Sequence, residues 1–223
     1  MLASMSDKAS EKALKYLTRL GVQVMLEEAV EYYDGSAVST NSGKKLYARN
    51  LIWTAGVTGD FPEGIGEESI VRGNRLQVNN TLLVKGYTNI FAIGDIAAVV
   101  SQRTPKGHPQ VAQVAIQQGK YLGEVIKYRI AGREYSKPFR YLDKGSLATV
   151  GKRRAVADLG KFRFGGYIAW FLWSVVHLFS ISGFRNKLMV ALNWVWNYFT
   201  YDKGNRLIIR EYKNKDLEKE ESK

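Results

Sequence analysis

The 223-residue chain is 45% hydrophobic and 24% charged, with a formal net charge of +12. That balance suits a globular protein with a buried core and excludes a disordered one. The absence of cysteine excludes disulfides, thiolate metal sites and redox dithiols, and two histidines, His108 and His177, are too few for a metal cluster.

In chain order, apolar spacing predicts a helix over 6–20, with Ala9, Ala13, Leu14, Leu17 and Leu20 on one face and Gly21 ending it. Residues 22–26 read as a short buried strand. Strand-like runs at 29–33, 37–40 and 46–48 surround the Asp34-Gly35 pair, a hairpin signal. Residues 50–56 read as a hydrophobic strand running into a small-residue turn. Leu76-Gln77-Val78 and Leu82-Leu83-Val84 read as a strand pair about Asn79-Asn80. Residues 89–95 read as a strand ending in Gly94-Asp95, and 109–130 as a long amphipathic helix beginning at Pro109, a residue suited to a first turn. Short strands are expected at 140–143, 147–150 and 155–159, aromatic helices at about 166–181 and 185–200, and a strand at 206–212 in a charged tail.

The Gly-Asp turn and the helix after it carry the chemistry. A strand that delivers Gly94 and Asp95 to a sheet edge puts a carboxylate where open α/β folds bind ligands. Glycine admits close backbone approach, and a carboxylate accepts hydrogen bonds from sugar or ribitol hydroxyls. Gln110, Gln113 and Gln117 share one helical stripe, and Ala112, Ala115 and Gly119 are small enough for a flat ring to lie close. A solvated glutamine face on a plain strand–turn–helix is the bland reading of the same residues.

Four motifs, in order, give a resemblance over nearly the whole chain. They are Leu51-Ile52-Trp53-Thr54-Ala55-Gly56-Val57; the run 89–95 with Ala112-Gln113-Val114-Ala115-Ile116-Gln117-Gln118-Gly119; Gly145-Ser146-Leu147-Ala148-Thr149-Val150-Gly151 with Ala155-Val156-Ala157; and Ala169-Trp170 with His177-Leu178. Together they resemble the C-terminal half of type II NADH:quinone oxidoreductases. The resemblance implies an α/β fold: a partial two-dinucleotide-binding-domain flavoprotein followed by a C-terminal α/β membrane-anchoring region. It implies the end of an NADH-binding domain over 1–48, the end of an FAD-binding domain over 49–138, and a membrane-associating region over 139–223. FAD would be the cofactor and NADH the substrate, with Gly94, Asp95, Ala112, Gln113 and Lys152 at the cofactor. Quinone would meet the flavin at Gln113, Ala115 and Gln117. No covalent catalyst and no metal ligand is implied; His108 reads as a loop histidine beside the helix, with proton relay the alternative. The family's two Gly-rich phosphate fingerprints do not occur in these residues. The expectation is therefore a piece that is inactive alone; the alternative is a non-catalytic, membrane-associated or partner-binding fragment. A disulfide reductase is disfavoured, because no His-x-x-x-x-Glu acid–base pair is visible.

Residues 139–223 hold 16 Lys/Arg against 8 Asp/Glu, and four of the five tryptophans. Basic charge beside long aromatic runs points to an anionic membrane surface and not to nucleic acid. The apolar run 167–181 would make ~22 Å of helix at ~1.5 Å per residue, short of the ~20 residues a bilayer core requires. Two such helices, rimmed by Arg163, Arg185 and Lys187, suit a monotopic anchor in which Trp170, Trp173, Trp194 and Trp196 sit at the headgroup boundary. A buried hairpin or a homodimer interface would use the same pattern. The expected location is the cytoplasmic face of the cell membrane.

Overall fold

The computed structural model describes residues 2, 5–101 and 104–200. The fold is mixed α/β, in two compact units: one is 25–145, and the other joins residues up to 24 with those from 146 on. The second unit pairs the first helix with the C-terminal segment, across the sequence boundaries at 48 and 138.

In the first unit, β1 (Val30–Tyr33), β2 (Ala37–Thr40) and β3 (Lys45–Tyr47) form an antiparallel meander. The Asp34 carboxylate makes the first turn, accepting from the Ser36 and Ala37 N–H groups at 2.7 Å each. A second sheet has β5 (Arg75–Val78) at its centre. It is antiparallel to β4 (Ile70–Val71) and parallel to β6 (Ala97–Val99), with Leu76, Gln77 and Val78 opposite Ala97, Ala98 and Val99. Leu76, Val78, Leu82, Val84, Ala92, Ala97, Val99 and Phe139 form the core there. Helix α2 (Ala112–Ile130) buries Val114, Gln118 and Val125.

In the second unit, β7 (Ser146–Thr149), β8 (Ala155–Leu159) and β9 (Phe162–Gly166) form an antiparallel sheet between two helical layers. Alternation along β8 explains the layering. Val156 packs on Ala9 and Ala13 of α1 (Asp7–Arg19), while Ala155 and Ala157 pack on Ala169 of α3 (Tyr167–Ser180). Helix α4 (Phe184–Thr200) returns along α3.

Several expected elements differ. Residues 22–26 and 50–56 make no strand, and Ile52 and Trp53 are 83% and 62% exposed. Their apolar runs suit strands flanked on both sides, and no described residue lies alongside to close a ladder. Residues 89–95 hold only a bridge from Phe91 to Leu83; the strand forms later, at 97–99, because Gly94 turns the chain with φ +74°. Leu82-Leu83-Val84 contributes bridges in place of a strand. Helix α2 begins at Ala112, not Pro109, with Val111 extended at its cap. Residues 140–143 are not a strand either: a side chain takes the place of the neighbouring strand, as described below. The strand expected at 206–212 lies outside the described residues.

Candidate functional site

Gly94 and Asp95 occupy one 3-10 turn, Gly94–Ile96, leading into β6. Two glutamines of the following segment fix it. Gln118 is fully buried, and its Oε1 accepts the Gly94 N–H at 2.6 Å. Gln110 donates from Nε2 to the Asp95 carbonyl at 3.0 Å. A Cβ added to Gly94 would stand 3.6 Å from the Ala115 side chain, so the turn lies directly against the small face of α2. The Asp95 side chain remains exposed beside it.

Gln113 and Gln117 each brace the segment after the helix. Gln117 mimics a strand: its Nε2 donates to the Leu142 carbonyl and its Oε1 accepts the Leu142 N–H, both at 2.9 Å. Gln113 donates to the Gly145 carbonyl at 3.0 Å and accepts the Lys144 N–H at 3.3 Å. An amide offers two N–H groups and two lone pairs, so each glutamine keeps one of each for a ligand. The first N–H groups of α2, those of Ala112 and Gln113, meet no backbone acceptor.

A buried cation lies behind the turn. Arg75 is 7% exposed and donates to the Ala97 carbonyl, to the His108 carbonyl at 3.0 Å and to the Lys106 carbonyl at 3.4 Å. Burial lowers its pKa and the charge of Asp95 raises it; a guanidinium so placed stays protonated. His108 packs its ring on Tyr141 and Phe139, at 5.2 and 5.9 Å between centroids. Burial, then the charge of Arg75, hold its pKa below the usual histidine value.

The predicted residues thus fall in two groups. Gly94, Asp95, Ala112, Gln113, Ala115 and Gln117 are together in the unit 25–145. Lys152 belongs to the other unit, in the turn between β7 and β8, where its Nζ donates to the Tyr198 carbonyl at 3.2 Å. Trp173 stacks on Trp194 at 5.9 Å and on His177 at 4.1 Å, and Trp170 lies 6.1 Å from Tyr198. These three tryptophans are half-buried in the seam between α3 and α4, and Trp196 is 63% exposed. Apolar residues exposed on these helices include Ile168, Phe171, Phe179, Phe184, Val195 and Phe199. Gln118 and Arg75 were not visible as site residues in the sequence. The adjacent Gln117-Gln118 pair was the one available signal, since neighbours on a helix point about 100° apart and one of them must turn inward.

The pyridine nucleotide-disulphide oxidoreductase family model matches residues 1–119, and the NDH2 C-terminal domain model matches 144–201. The chain belongs to the pyridine nucleotide-disulphide oxidoreductases, on their type II NADH:quinone oxidoreductase branch. It is 36% identical to a type II NADH:quinone oxidoreductase of Mycobacterium tuberculosis, over 93% of this chain and 46% of that protein. It is 27% identical to a mitochondrial internal alternative NAD(P)H-ubiquinone oxidoreductase of Arabidopsis thaliana, over 89% of this chain and 42% of that one. Its fold is similar to that of NDH2 from Plasmodium falciparum in complex with NADH, with a TM-score of 0.75, 18% identity, and coverage of 90% of this chain and 56% of the other. The chain spans about half the length of the curated relatives it matches. Within this type II chain, the pyridine nucleotide match ends inside α2, and the NDH2 C-terminal match takes in β7–β9, α3 and α4. No described helix is long and apolar enough to cross a membrane. A cavity of about 220 Å³ between α1 and β9 is lined by Lys8, Lys12, Lys15 and Arg163 among others, and holds none of the predicted site residues.

Proposed function

We propose that these residues are the C-terminal portion of a respiratory flavoprotein that passes electrons from NADH, through FAD, to a membrane quinone. The observation that carries this reading is the joining of the Gly94–Asp95 turn to the small face of α2 by Gln118 and Ala115. The residues fit a flavin. Gly94 has no Cβ to hold a ligand off the turn, the exposed Asp95 carboxylate can accept from ribityl hydroxyls, and the N–H groups of Ala112 and Gln113, which meet no backbone acceptor, could donate to an electron-rich ring carbonyl. FAD, when bound, supplies the hydride acceptor and the two-electron store between NADH and quinone. Gln113, Ala115 and Gln117 would line the quinone's approach, each glutamine using its remaining amide donor. Helices α3 and α4 would attach the protein to the cytoplasmic face of the membrane, the phase in which quinones dissolve; the exposed apolar residues of both helices support this, and would equally serve a homodimer.

No Gly-rich phosphate turn occurs in the 223 residues, so the chain alone should hold FAD weakly and should not oxidise NADH. Hydrogen exchange of the purified chain at millimolar FAD tests the site. The expected result is slower exchange at 94–96 and 112–118, lost in Asp95→Ala. Unchanged exchange there would remove the flavin assignment. Flavin retained in a one-to-one ratio through gel filtration, with NADH–quinone turnover, would remove the incompleteness.

A further inference from the structure

We infer that the cavity between α1 and β9 binds a small, soluble polyanion with an oxyanion group at each end, such as a di- or tricarboxylate or a diphosphate. The cavity lies wholly in the unit that contains β7–β9, and shares no residue with the flavin reading. Its volume is about 220 Å³. Lys8, Glu11, Lys12 and Lys15 stand three or four residues apart, so one face of α1 turns all four toward it. Arg163 lines the β9 wall. Its Nε donates to the Asp158 carboxylate at 3.3 Å, and the same carboxylate accepts the Ser6 N–H at 2.7 Å, so Arg163 and Asp158 answer each other. The lysines have no such answer. Among the described residues none of the three meets a carboxylate at ion-pair distance, Glu11 included. Three ammonium groups therefore share the cavity with one carboxylate.

Like charges one turn apart on a helix repel, so the three lysines cost α1 stability as they stand, and an anion between them relieves it. Lys12 is also held in place. A Cβ added to Gly165 would stand 3.0 Å from the Lys12 Cδ, so the lysine stem lies directly on the bare backbone of β9. The walls set the class of ligand. Ala157 and Phe164 pack toward Ala169 of α3, on the other face of the sheet, so β8 and β9 meet the cavity chiefly with backbone. A polar ligand suits such a lining. Lys8 and Lys15 are separated by ~10 Å along the helix at ~1.5 Å per residue, which spreads the charge over more than one oxyanion. Inorganic phosphate would meet one end only. The cavity lies against α1, on the sheet face opposite α3 and away from the exposed apolar side chains of that helix, so its occupant comes from solution and not from a lipid. Once bound, the anion joins α1 to β9 and holds the helix on the sheet.

The test titrates the 223-residue chain with citrate, pyrophosphate and inorganic phosphate at fixed ionic strength, read by calorimetry and by hydrogen exchange of residues 7–19 and 162–166. Citrate or pyrophosphate should bind at one site, about ten-fold more tightly than inorganic phosphate, and slow exchange in both segments. Lys12→Gln keeps the helix propensity and should weaken that binding about ten-fold, as the loss of one charge-assisted bond does. Glu11→Gln removes the one carboxylate of the lining and should strengthen it. Lys45→Gln removes the same charge from an exposed position on β3, in the other unit, and should change it by less than about two-fold. Equal weakening in Lys12→Gln and Lys45→Gln would replace the site with general attraction to a basic chain. Phosphate bound as tightly as citrate and pyrophosphate would overturn the two-ended ligand, and no saturable binding of any of the three would overturn the site.

Discussion

The two units are stabilised by different chemistry. In 25–145, polar side chains do the work of backbone: Arg75 serves three carbonyls, Gln117 substitutes for a neighbouring strand at Leu142, and Gln118 holds the Gly94 N–H. In the unit that contains β7–β9, the contacts are small or aromatic. Alanines at 9, 13, 155, 157 and 169 bring helices close to both faces of the sheet, and stacked rings tie α3 to α4. Directional bonds fix a turn to within a few tenths of an ångström, which a ligand site requires. Alanine and aromatic packing fixes layers while leaving apolar residues outside, which a surface for lipid or a second protein requires. The contrast predicts that the first unit fails by losing hydrogen bonds and the second by losing shape.

Arg75→Met should have the largest effect. It leaves the carbonyls of Ala97, Lys106 and His108 without their donor in a mostly dry setting, at a cost of about 3 kcal/mol. The midpoint of urea unfolding reads this directly; an unchanged midpoint would mean that water replaces the guanidinium and that the bonds are incidental. Ala157→Leu comes next. Its side chain is fully buried against Ala169, so three added carbons must push α3 away or force strained rotamers, at about 2 kcal/mol. The same measurement applies, and a neutral result would show the α3 layer to be loosely seated.

How much of this was legible depends on what sets each feature. The glutamine helix, the first hairpin and both aromatic helices follow from local periodicity, and the structure has them within a few residues. The apolar runs at 22–26 and 50–56 read as strands because their composition is right, but a strand exists only where a neighbour closes the ladder. Arg75 was unreadable for a related reason. A strand-initial arginine looks like a solvated charge, and its burial is decided by carbonyls 22 to 33 residues away. The start of α2 was misplaced because Pro109 satisfies the rule for a first helical residue, whereas the chain stays extended through Val111. The headgroup-belt expectation for the tryptophans comes from residue type, helical runs and a basic rim. Which of them face out depends on the crossing of α3 and α4, and only Trp196 does so clearly.

The smallest expected effect is a pH dependence confined to the first unit. His108 is half-buried, with Arg75 as its charged neighbour and the rings of Phe139 and Tyr141 against it. Tyr141 does not compete in the range of interest, because burial and then the nearby Asp143 push its phenol above its ordinary value. With the folded histidine pKa below its unfolded value of about 6.5, the unfolded chain binds the proton more readily. The stabilisation is therefore complete above the unfolded pKa and is lost as pH falls through it toward the folded one. Because the ring is partly solvated, the loss should be a fraction of a kcal/mol. The difference in unfolding midpoint between the parent chain and His108→Asn, followed from pH 7.5 to 5.5, isolates it from the carboxylates that titrate lower. The parent should weaken more than the variant over that interval. If both weaken equally, the histidine is not held by Arg75 and the aromatic rings, and the loop before α2 is less firmly packed than the bonds to Arg75 imply.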